Sequence, residues 1–224
     1  MCGRFTLTVD PSQLQEAFPW LAVPEQYSAR YNIAPTQPIA VVPNDGKNQM
    51  DFYNWGLIPF WAKDPSIGSR MINARAETLA EKPSFRNAYR RRRCLILADG
   101  FYEWKQQKED KGKVPIYIQL ETGEPFAFAG LWEIWASPEG SELRSCTIIT
   151  TRPNEFMKPI HNRMPVILSE RNYDRWLSTN EMDPDTLNPL LNQLTEKSLR
   201  AYPVSKLVNN PSNDIPELIN PISS

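Results

Sequence analysis

Proline is the feature that most restricts the fold of this 224-residue chain, which contains 21 prolines and only 9 glycines. A proline ring removes a backbone donor and interrupts a regular helix, so frequent proline favours loops, edge strands and short elements. Hydrophobic residues make up 41% of the sequence, and the chain is long enough to enclose a substantial core. We therefore expect short elements arranged around one core rather than a bundle of long helices.

Short apolar runs with the pattern of β-strands recur along the sequence. The first run, RFTLTV, alternates apolar and polar residues in the way of a half-buried strand. Further strands are expected at IAVV, MDFYNWGL, CLILAD, FYEWK, PIYIQL, FAFAGLWEIW, CTIITT and AYPVS. The polar stretch KQQKEDKGK, which joins two of these runs, is typical of an exposed hairpin turn.

Helix signals are fewer and lie towards the margins of these strands. Asp10 followed by Pro11 predicts the start of a helix, because aspartate caps helices and proline is favoured in their first turn. Ser84 is the expected cap of a short helix over SFRNAYRRRR, and two more helices are expected at SERNYDRWL and DPDTLNPLLNQL. Many strands with a few helices predict an α+β fold on antiparallel sheet, as one domain over residues 1–224 with a loose end.

Composition narrows the functional classes without choosing among them. The net charge of −1 argues weakly against nucleic acid, which requires only a local basic surface. The densest basic run, Arg90–Arg93, could contact phosphates, but a solvated helix end is the commoner case. The three cysteines (Cys2, Cys94 and Cys146) form no disulfide framework, which favours a reducing compartment. We expect a cytoplasmic, nucleoid or nuclear protein, since no run has the length of a signal peptide or a membrane span.

Two titratable residues stand out as candidates for proton transfer. His161 is the only histidine and lies in an irregular, proline-containing segment, where catalytic residues often occur, although a lone histidine is more often structural. Glu103 lies among the aromatic residues of ADGFYEWK, and burial there would raise its pKa into a range useful for acid–base work. An outward-facing acid on an alternating strand is an equally good interpretation.

Two further segments carry candidates for binding. Asn73 and Arg75 lie two residues apart in INARAET and share one face if the segment is extended, which suits a sugar–phosphate target. A surface ion pair between Arg75 and Glu77 is the simpler interpretation. In NWGLIPFWAKD, Trp61 could stack on bases, whereas Trp55 is expected in the core. No phosphate-binding glycine loop, CxxC pair or HExxH motif is present in the sequence, so we expect neither a metal nor a nucleotide cofactor.

Cys2 directly follows the initiator methionine, and removal of Met1 would leave an amine and a thiol on adjacent carbons. Their reference pKa values are about 7.7–8.0 and about 8.5, so both have a reactive fraction near neutral pH. The amine can form a Schiff base with an aldehyde, and the thiol can then close a five-membered thiazolidine on the same carbon. The same cysteine could alternatively attack an amide.

The motifs MCGRF, YNIAPTQ, WGLIPFWAKD, INARAET, ADGFYEWK and IHNRMPVIL occur in this order. Together they resemble the SOS response-associated peptidase (SRAP) family, also called YedK-like, from Met1 to about PVSKLVNN. The resemblance implies a single compact α+β domain, with a barrel-like antiparallel or mixed sheet, peripheral helices and a positively charged groove. It also implies a monomer without a cofactor that binds single-stranded DNA and reacts with abasic sites.

The resemblance implies a role for each of four catalytic residues. Cys2 is the nucleophile that forms a stable thiazolidine with the ring-opened deoxyribose, which shields the lesion. Asn73 orients the sugar or the N-terminus, and Glu103 is the acid or base that assists Schiff-base formation. His161 promotes opening of the sugar ring and reversal of the crosslink. One imidazole and one aromatic-flanked carboxyl group suit these proton transfers.

The resemblance also implies a set of DNA-binding residues. Arg4, Arg75 and Arg163 contact phosphate, and Trp61 packs near the displaced bases. Phe60 stands where many relatives have a small residue, which changes the expected shape of the DNA groove.

Other functions are compatible with the same residues. A cysteine peptidase that removes its own leader could use Cys2 and His161, and it would cleave peptide bonds in trans. A non-catalytic reader of damaged or modified DNA would not need Cys2 and would bind reversibly. AP-lyase and autopeptidase activities are possible additions to the crosslinking reaction.

Overall fold

In the computed structural model, which describes residues 2–107, 112–191 and 199–222, strands account for most of the regular structure. The strands in chain order are β1 (Phe5–Leu7), β2 (Arg30–Ile33), β3 (Pro38–Pro43), β4 (Asp51–Trp55), β5 (Asn73–Arg75), β6 (Arg93–Ala98), β7 (Gly100–Gln106), β8 (Lys113–Leu120), β9 (Phe126–Ala136), β10 (Glu142–Thr151), β11 (Met164–Pro165) and β12 (Leu199–Pro203). Each expected strand has a counterpart among them. The tip of the hairpin expected between β7 and β8, at residues 108–111, lies outside the described residues, but the two strands on either side of it are paired.

The first sheet places the N-terminal strand in its interior. Its order is β12-β8-β7-β1-β2, and every neighbouring pair is antiparallel. Phe5 of β1 lies opposite Phe101 of β7, so the residues just before β1 run beside the strand that carries Glu103. The position of Cys2 is therefore set by pairing on both sides of β1.

The second sheet closes on itself as a five-stranded barrel. In this barrel β3 pairs with β4 and β6, β6 pairs with β9, β9 pairs with β10, and β10 pairs in parallel with β4. Two short strands add to the end of β10, where β5 pairs in parallel and β11 antiparallel. The fold is a compact α+β domain with mixed sheets and a barrel-like element, which confirms the predicted fold class.

Helices are short and peripheral, as the proline content predicts. They are α1 (Pro11–Ala17), α2 (Arg86–Arg91), α3 (Tyr173–Trp176), α4 (Pro184–Leu187) and the 3₁₀ helices Pro65–Arg70, Ala76–Thr78, Glu170–Asn172, Asn188–Leu191, Lys206–Asn209 and Pro216–Ile219. Asp10 caps α1 in a reciprocal capping box with Gln13, as its position next to Pro11 predicts. The predicted cap of α2 is wrong, because α2 follows Phe85, which makes no side-chain cap bond, rather than Ser84. None of the helices in the described part of the chain is long and apolar enough to span a membrane.

Aromatic packing between the sheets anchors β1. The Phe5 ring lies 5.2 Å from the Trp55 ring and 5.9 Å from the Phe128 ring, both in edge-on geometry. All three rings are fully buried, and burying one such side chain stabilises the fold by about 1.5–3 kcal/mol. The expectation that Trp55 lies in the core is confirmed.

Asp99 fastens β1 to the turn between β6 and β7. Its buried carboxylate accepts hydrogen bonds from the Thr6 hydroxyl at 2.5 Å, from the amide and hydroxyl of Thr8 at 2.6 Å, and from the Val9 amide at 3.1 Å. The next residue must be glycine, because a Cβ on Gly100 would lie 2.1 Å from the Tyr117 hydroxyl oxygen. The first half of ADGFYEWK therefore has a structural role.

The basic run Arg90–Arg93 is also structural, which corrects the expectation of a solvated helix end. Arg91 is exposed and Arg90 is half-buried, and both pair with acids, but Arg93 is fully buried. A guanidinium group has five N–H donors, and those of Arg93 all reach backbone carbonyls. The acceptors are Tyr89, Arg90, Trp176, Ser178 and Asn180. Arg93 thus joins the end of α2 to the segment that follows α3.

We predict that Arg93→Met destabilises the protein strongly, whereas Arg91→Met does not. The first change leaves buried carbonyls without donors, which we expect to cost about 3 kcal/mol or more. The second removes only a surface ion pair and should cost less than about 1 kcal/mol. Urea denaturation of both variants measures the difference, and equal losses would show that burial of Arg93 is not stabilising.

Candidate active site

Cys2 is held at the start of β1 by its backbone. The Asn73 amide nitrogen Nδ2 donates a hydrogen bond of 2.8 Å to the Cys2 carbonyl oxygen. Asn73 is the first residue of β5 and pairs with Ile148 of the barrel strand β10, so this bond connects the two sheets. The Cys2 side chain is fully buried, and its Sγ lies 3.9 Å from the Arg4 carbonyl oxygen.

Glu103 lies on β7, next to the strand that Cys2 precedes. Its side chain is only 2% exposed, and this burial raises its pKa from about 4.5 to about 7. Burial also raises the pKa of the Cys2 thiol, and the nearby charge of Glu103 raises it further. The thiol is therefore protonated at neutral pH, while Glu103 is present in both protonation states.

His161 faces Glu103 from the loop that joins β10 to β11. Its Nε2 lies 3.8 Å from Glu103 Oε2, and its side chain is 25% exposed, so the imidazole lies between the buried acid and solvent. The Arg163 amide nitrogen lies 3.1 Å from Nδ1 and the Arg163 carbonyl oxygen lies 3.2 Å from the same nitrogen, so the backbone of Arg163 orients the ring. Burial lowers the pKa of His161, which favours its neutral form.

The structure thus brings the four residues of the expected catalytic set into one site from four separate segments. Cys2 precedes β1, and Asn73 lies in β5. Glu103 lies in β7, and His161 lies in the β10–β11 loop. A carboxyl group with a pKa near 7 beside a neutral imidazole can donate and accept protons at neutral pH. In the described part of the chain, no three His, Cys, Asp or Glu side chains are grouped to hold a metal ion.

Arg163 is engaged with protein groups at the edge of this site. Its Nη1 and Nη2 donate to the two carboxylate oxygens of Glu77 at 2.8 and 2.9 Å. Nη2 also donates to the Thr150 carbonyl oxygen at 2.7 Å. From the sequence, only Arg75 was expected as a partner of Glu77. Nothing in the local sequence pattern points to Arg163, which lies 86 positions away.

The other two arginines of the expected DNA-binding set differ in their surroundings. Arg4 donates to the side-chain oxygen of Asn32 and to the Val208 carbonyl oxygen, both at 2.7 Å, and to the Asn209 carbonyl oxygen at 3.2 Å. It therefore ties the N-terminal segment to residues near the C-terminus. Arg75 is exposed at the end of β5, where its side chain is open to a ligand.

Trp61 lies on a loop apart from the four catalytic candidates. Trp61 and its neighbour Phe60 are 48% and 55% exposed, so both rings are open to stacking. The loop is closed where Gly56 meets Gly68, since a Cβ on Gly56 would lie 2.5 Å from the Gly68 carbonyl oxygen. The two aromatic side chains therefore project from a loop with a close-packed base.

Comparisons with known proteins identify the family and the fold that this chain resembles. A family model described as SOS response associated peptidase (SRAP) matches residues 1–211. The "Abasic site processing protein YoqW" of Bacillus subtilis (strain 168) is 52% identical over 222 residues, which cover 98% of this chain and 99% of that protein. The "Abasic site processing protein HMCES" of Gallus gallus is 30% identical over 264 residues, which cover 99% of this chain and 78% of that protein. A crystal structure of a protein from Bacteroides thetaiotaomicron matches with a TM-score of 0.86 at 25% identity and covers 99% of this chain and 100% of that one.

We predict that Glu103→Gln makes the protein more stable relative to wild type as pH rises. Burial places the folded-state pKa of Glu103 near 7, above its ordinary value, so folding favours the protonated carboxyl group. The stability from this group is full below the unfolded-state pKa and is lost as pH rises through the folded-state pKa. Glutamine does not titrate, so the difference in unfolding free energy should move about 2 kcal/mol in favour of the variant between about pH 5 and about pH 8. Urea denaturation at both pH values measures it, and a pH-independent difference would place the pKa of Glu103 in its ordinary range.

Proposed function

Since the chain belongs to the SOS response-associated peptidase family, we propose that it binds single-stranded DNA and crosslinks itself to abasic sites through Cys2. Relatives at 52% and 30% identity are named abasic site processing proteins, which supports this substrate. The observation that carries the proposal is the grouping of Cys2, held by Asn73, with the contacting pair Glu103 and His161.

The proposed reaction begins with removal of Met1. While Met1 is attached, the nitrogen of Cys2 is an amide, and its removal leaves a primary amine with a pKa of about 7.7–8.0. Asn73 binds the carbonyl oxygen of Cys2, which leaves both nucleophiles of that residue available. The other amide atom of Asn73, Oδ1, is buried and accepts no hydrogen bond from the described residues. It is thus suited to accept one from the new amine or from a sugar hydroxyl.

Opening of the sugar ring exposes the aldehyde on which crosslinking depends. The closed deoxyribose must lose a proton from its anomeric hydroxyl and gain one on its ring oxygen. His161 is suited to this exchange, because its imidazole is neutral and partly exposed and lies beside a second proton-transfer group.

Two bonds then form at the aldehyde carbon. The amine adds first, because burial keeps the thiol protonated, and loss of water from the adduct gives an imine. The thiol then adds to the same carbon, and the resulting thiazolidine contains a new carbon–nitrogen and a new carbon–sulfur bond. One water molecule is released overall.

Glu103 is suited to both steps because its pKa lies near 7. In its protonated form it can donate a proton to the departing hydroxyl group of the amine adduct. In its ionised form it can accept the proton of the Cys2 thiol and return it to the nitrogen. A group with a pKa near the working pH performs both transfers effectively.

DNA contacts are proposed for Arg75, Arg4, Arg163 and Trp61. Arg75 is exposed and lies two residues from Asn73, so it can bind a phosphate next to the reacting sugar. For Arg4 and Arg163, a phosphate contact requires sharing or exchanging the protein acceptors that they already bind. We therefore expect Arg75 to contribute more to binding than the other two. Trp61 is suited to stack on an unpaired base.

We predict that Cys2→Ala forms only a reversible adduct with an oligonucleotide that contains one abasic site. Alanine also permits removal of Met1, so the variant keeps the amine and loses only the thiol. Borohydride should trap its Schiff base, but without borohydride the adduct should be lost on heating, whereas the wild-type adduct should survive. Denaturing gels measure the adducts, and intact mass spectrometry verifies that both proteins lack Met1.

Other outcomes of this experiment would support the alternative functions. A peptidase that uses only the thiol, or a reversible reader of damaged DNA, would give no borohydride-trapped adduct with either protein. A heat-stable adduct formed equally well by Cys2→Ala would show that the thiol has no part in the linkage.

We predict that Arg75→Ala weakens binding of single-stranded DNA and reduces its salt dependence. Losing one phosphate contact should lower the slope of log affinity against log salt by about 0.7. Fluorescence anisotropy with an oligonucleotide that carries a non-reactive abasic analogue measures binding without crosslinking. Arg91→Ala is the control, because Arg91 is an exposed residue of α2 that is already paired with Glu181. An unchanged slope of log affinity against log salt in Arg75→Ala would show that Arg75 does not contact a DNA phosphate.

A further inference from the structure

Glu77 connects the two halves of the site, although it has no part in the proposed chemistry. It lies in the 3₁₀ helix Ala76–Thr78, which directly follows β5. Asn73, four residues earlier, holds the Cys2 carbonyl group, and Glu77 holds Arg163. The segment 73–77 thus binds both Cys2, which lies before β1, and the loop that carries His161.

The orientation of the His161 ring depends on the backbone of Arg163. His161 lies outside regular secondary structure, and its own amide bonds to the Met157 carbonyl oxygen at 2.9 Å. The Arg163 amide nitrogen and carbonyl oxygen lie 3.1 and 3.2 Å from Nδ1, and these backbone contacts orient the ring. A shift of the Arg163 backbone would therefore turn Nε2 away from Glu103.

The backbone of Arg163 is in turn held by its side chain. The paired bonds to Glu77, at 2.8 and 2.9 Å, have the bidentate geometry that fixes both distance and direction. The Arg163 side chain is only 14% exposed and that of Glu77 is 37% exposed, so the guanidinium group is enclosed while the carboxylate reaches solvent. The hydrogen bond from Arg163 lowers the pKa of Glu77, which keeps this carboxylate ionised at neutral pH.

We propose that Glu77 is a positioning residue, which acts through Arg163 to hold the His161 ring with Nε2 directed at Glu103. This positioning holds for the folded protein without DNA, and only its effect on reaction rate rests on the proposed function. The experiment therefore needs one measurement that requires no DNA and one that does.

The first measurement is nuclear magnetic resonance of the imidazole nitrogens, which gives one signal set because the chain has a single histidine. Wild-type protein should show a single tautomer, because the Arg163 backbone holds the ring in one orientation. In Glu77→Gln the amide group cannot accept both Arg163 donors, so the ring should become mobile and show both tautomers. Glu81→Gln is the matched control, because Glu81 is an exposed acid on the turn that follows the same 3₁₀ helix.

The pKa of His161 separates positioning from a direct effect of charge. Glu103 faces this ring from β7, the charges of the N-terminal amine and of Lys113 on β8 also act on it, and none of the three is changed in the variant. Losing the negative charge of Glu77 would by itself lower the pKa of His161. Release of the ring into solvent would instead raise this pKa towards its ordinary value, and we expect this rise.

The second measurement is the single-turnover rate of crosslinking at saturating DNA. We expect Glu77→Gln to slow it about tenfold or more, because small displacements of reacting groups are costly. Affinity for the non-reactive abasic analogue should not fall, since Glu77 contacts no proposed phosphate and its loss leaves Arg163 more available to bind one. Arg163→Lys keeps the positive charge but loses the bidentate pair, and it should change the imidazole signals in the same way.

The two proposals fail in different ways. If wild-type protein forms no crosslink, the proposed function is wrong, and the imidazole measurement still tests the role of Glu77. If Glu77→Gln and Arg163→Lys both keep the wild-type tautomer and the wild-type pKa of His161, then Glu77 does not position this ring.

Discussion

The hydrogen bond from Asn73 to the Cys2 carbonyl group is the contact on which the candidate site depends. It joins the first sheet, which contains β1, to the barrel, along which β5 lies. Pairing of β1 sets the approximate position of Cys2, since the Arg4 carbonyl oxygen still accepts a hydrogen bond from the Tyr102 amide of β7, and Asn73 then fixes the Cys2 carbonyl group. The buried ring of Phe5 shortens the free segment to a few residues, and Asn73 then binds it on the other side.

Burial favours the neutral form of each of the three titratable groups of the site. It raises the pKa of Glu103 and of the Cys2 thiol and lowers the pKa of His161, so each group shifts towards its neutral form. Neutral groups can exchange protons without separating charges in a region of low dielectric constant. The positive charge that DNA would require lies outside this centre, at exposed residues such as Arg75.

Local sequence patterns predicted those features of the fold that depend on neighbouring residues. The strands follow from alternation and the start of α1 follows from Asp10 and Pro11, whereas the roles proposed for the catalytic set come from the family resemblance. The burial of Arg93 and the pairing of Glu77 with Arg163 were not predictable in this way. Each depends on partners more than 80 residues distant, whose proximity is created only when the sheets assemble. A run of arginines therefore has the same appearance in sequence whether its members are solvated or enclosed.

The interior position of β1 has a mechanical consequence for a protein covalently attached to DNA through Cys2. Tension on the DNA would be transmitted along β1, which is hydrogen-bonded to β2 on one edge and to β7 on the other. Such a load shears both edges at once, together with the four bonds that Asp99 accepts from the residues of β1 and just after it. An attachment at an edge strand would instead be peeled away one bond at a time. If Cys2 is attached to DNA as proposed, a motor moving along the DNA would pull on an interior strand, which resists unravelling more than an edge strand does.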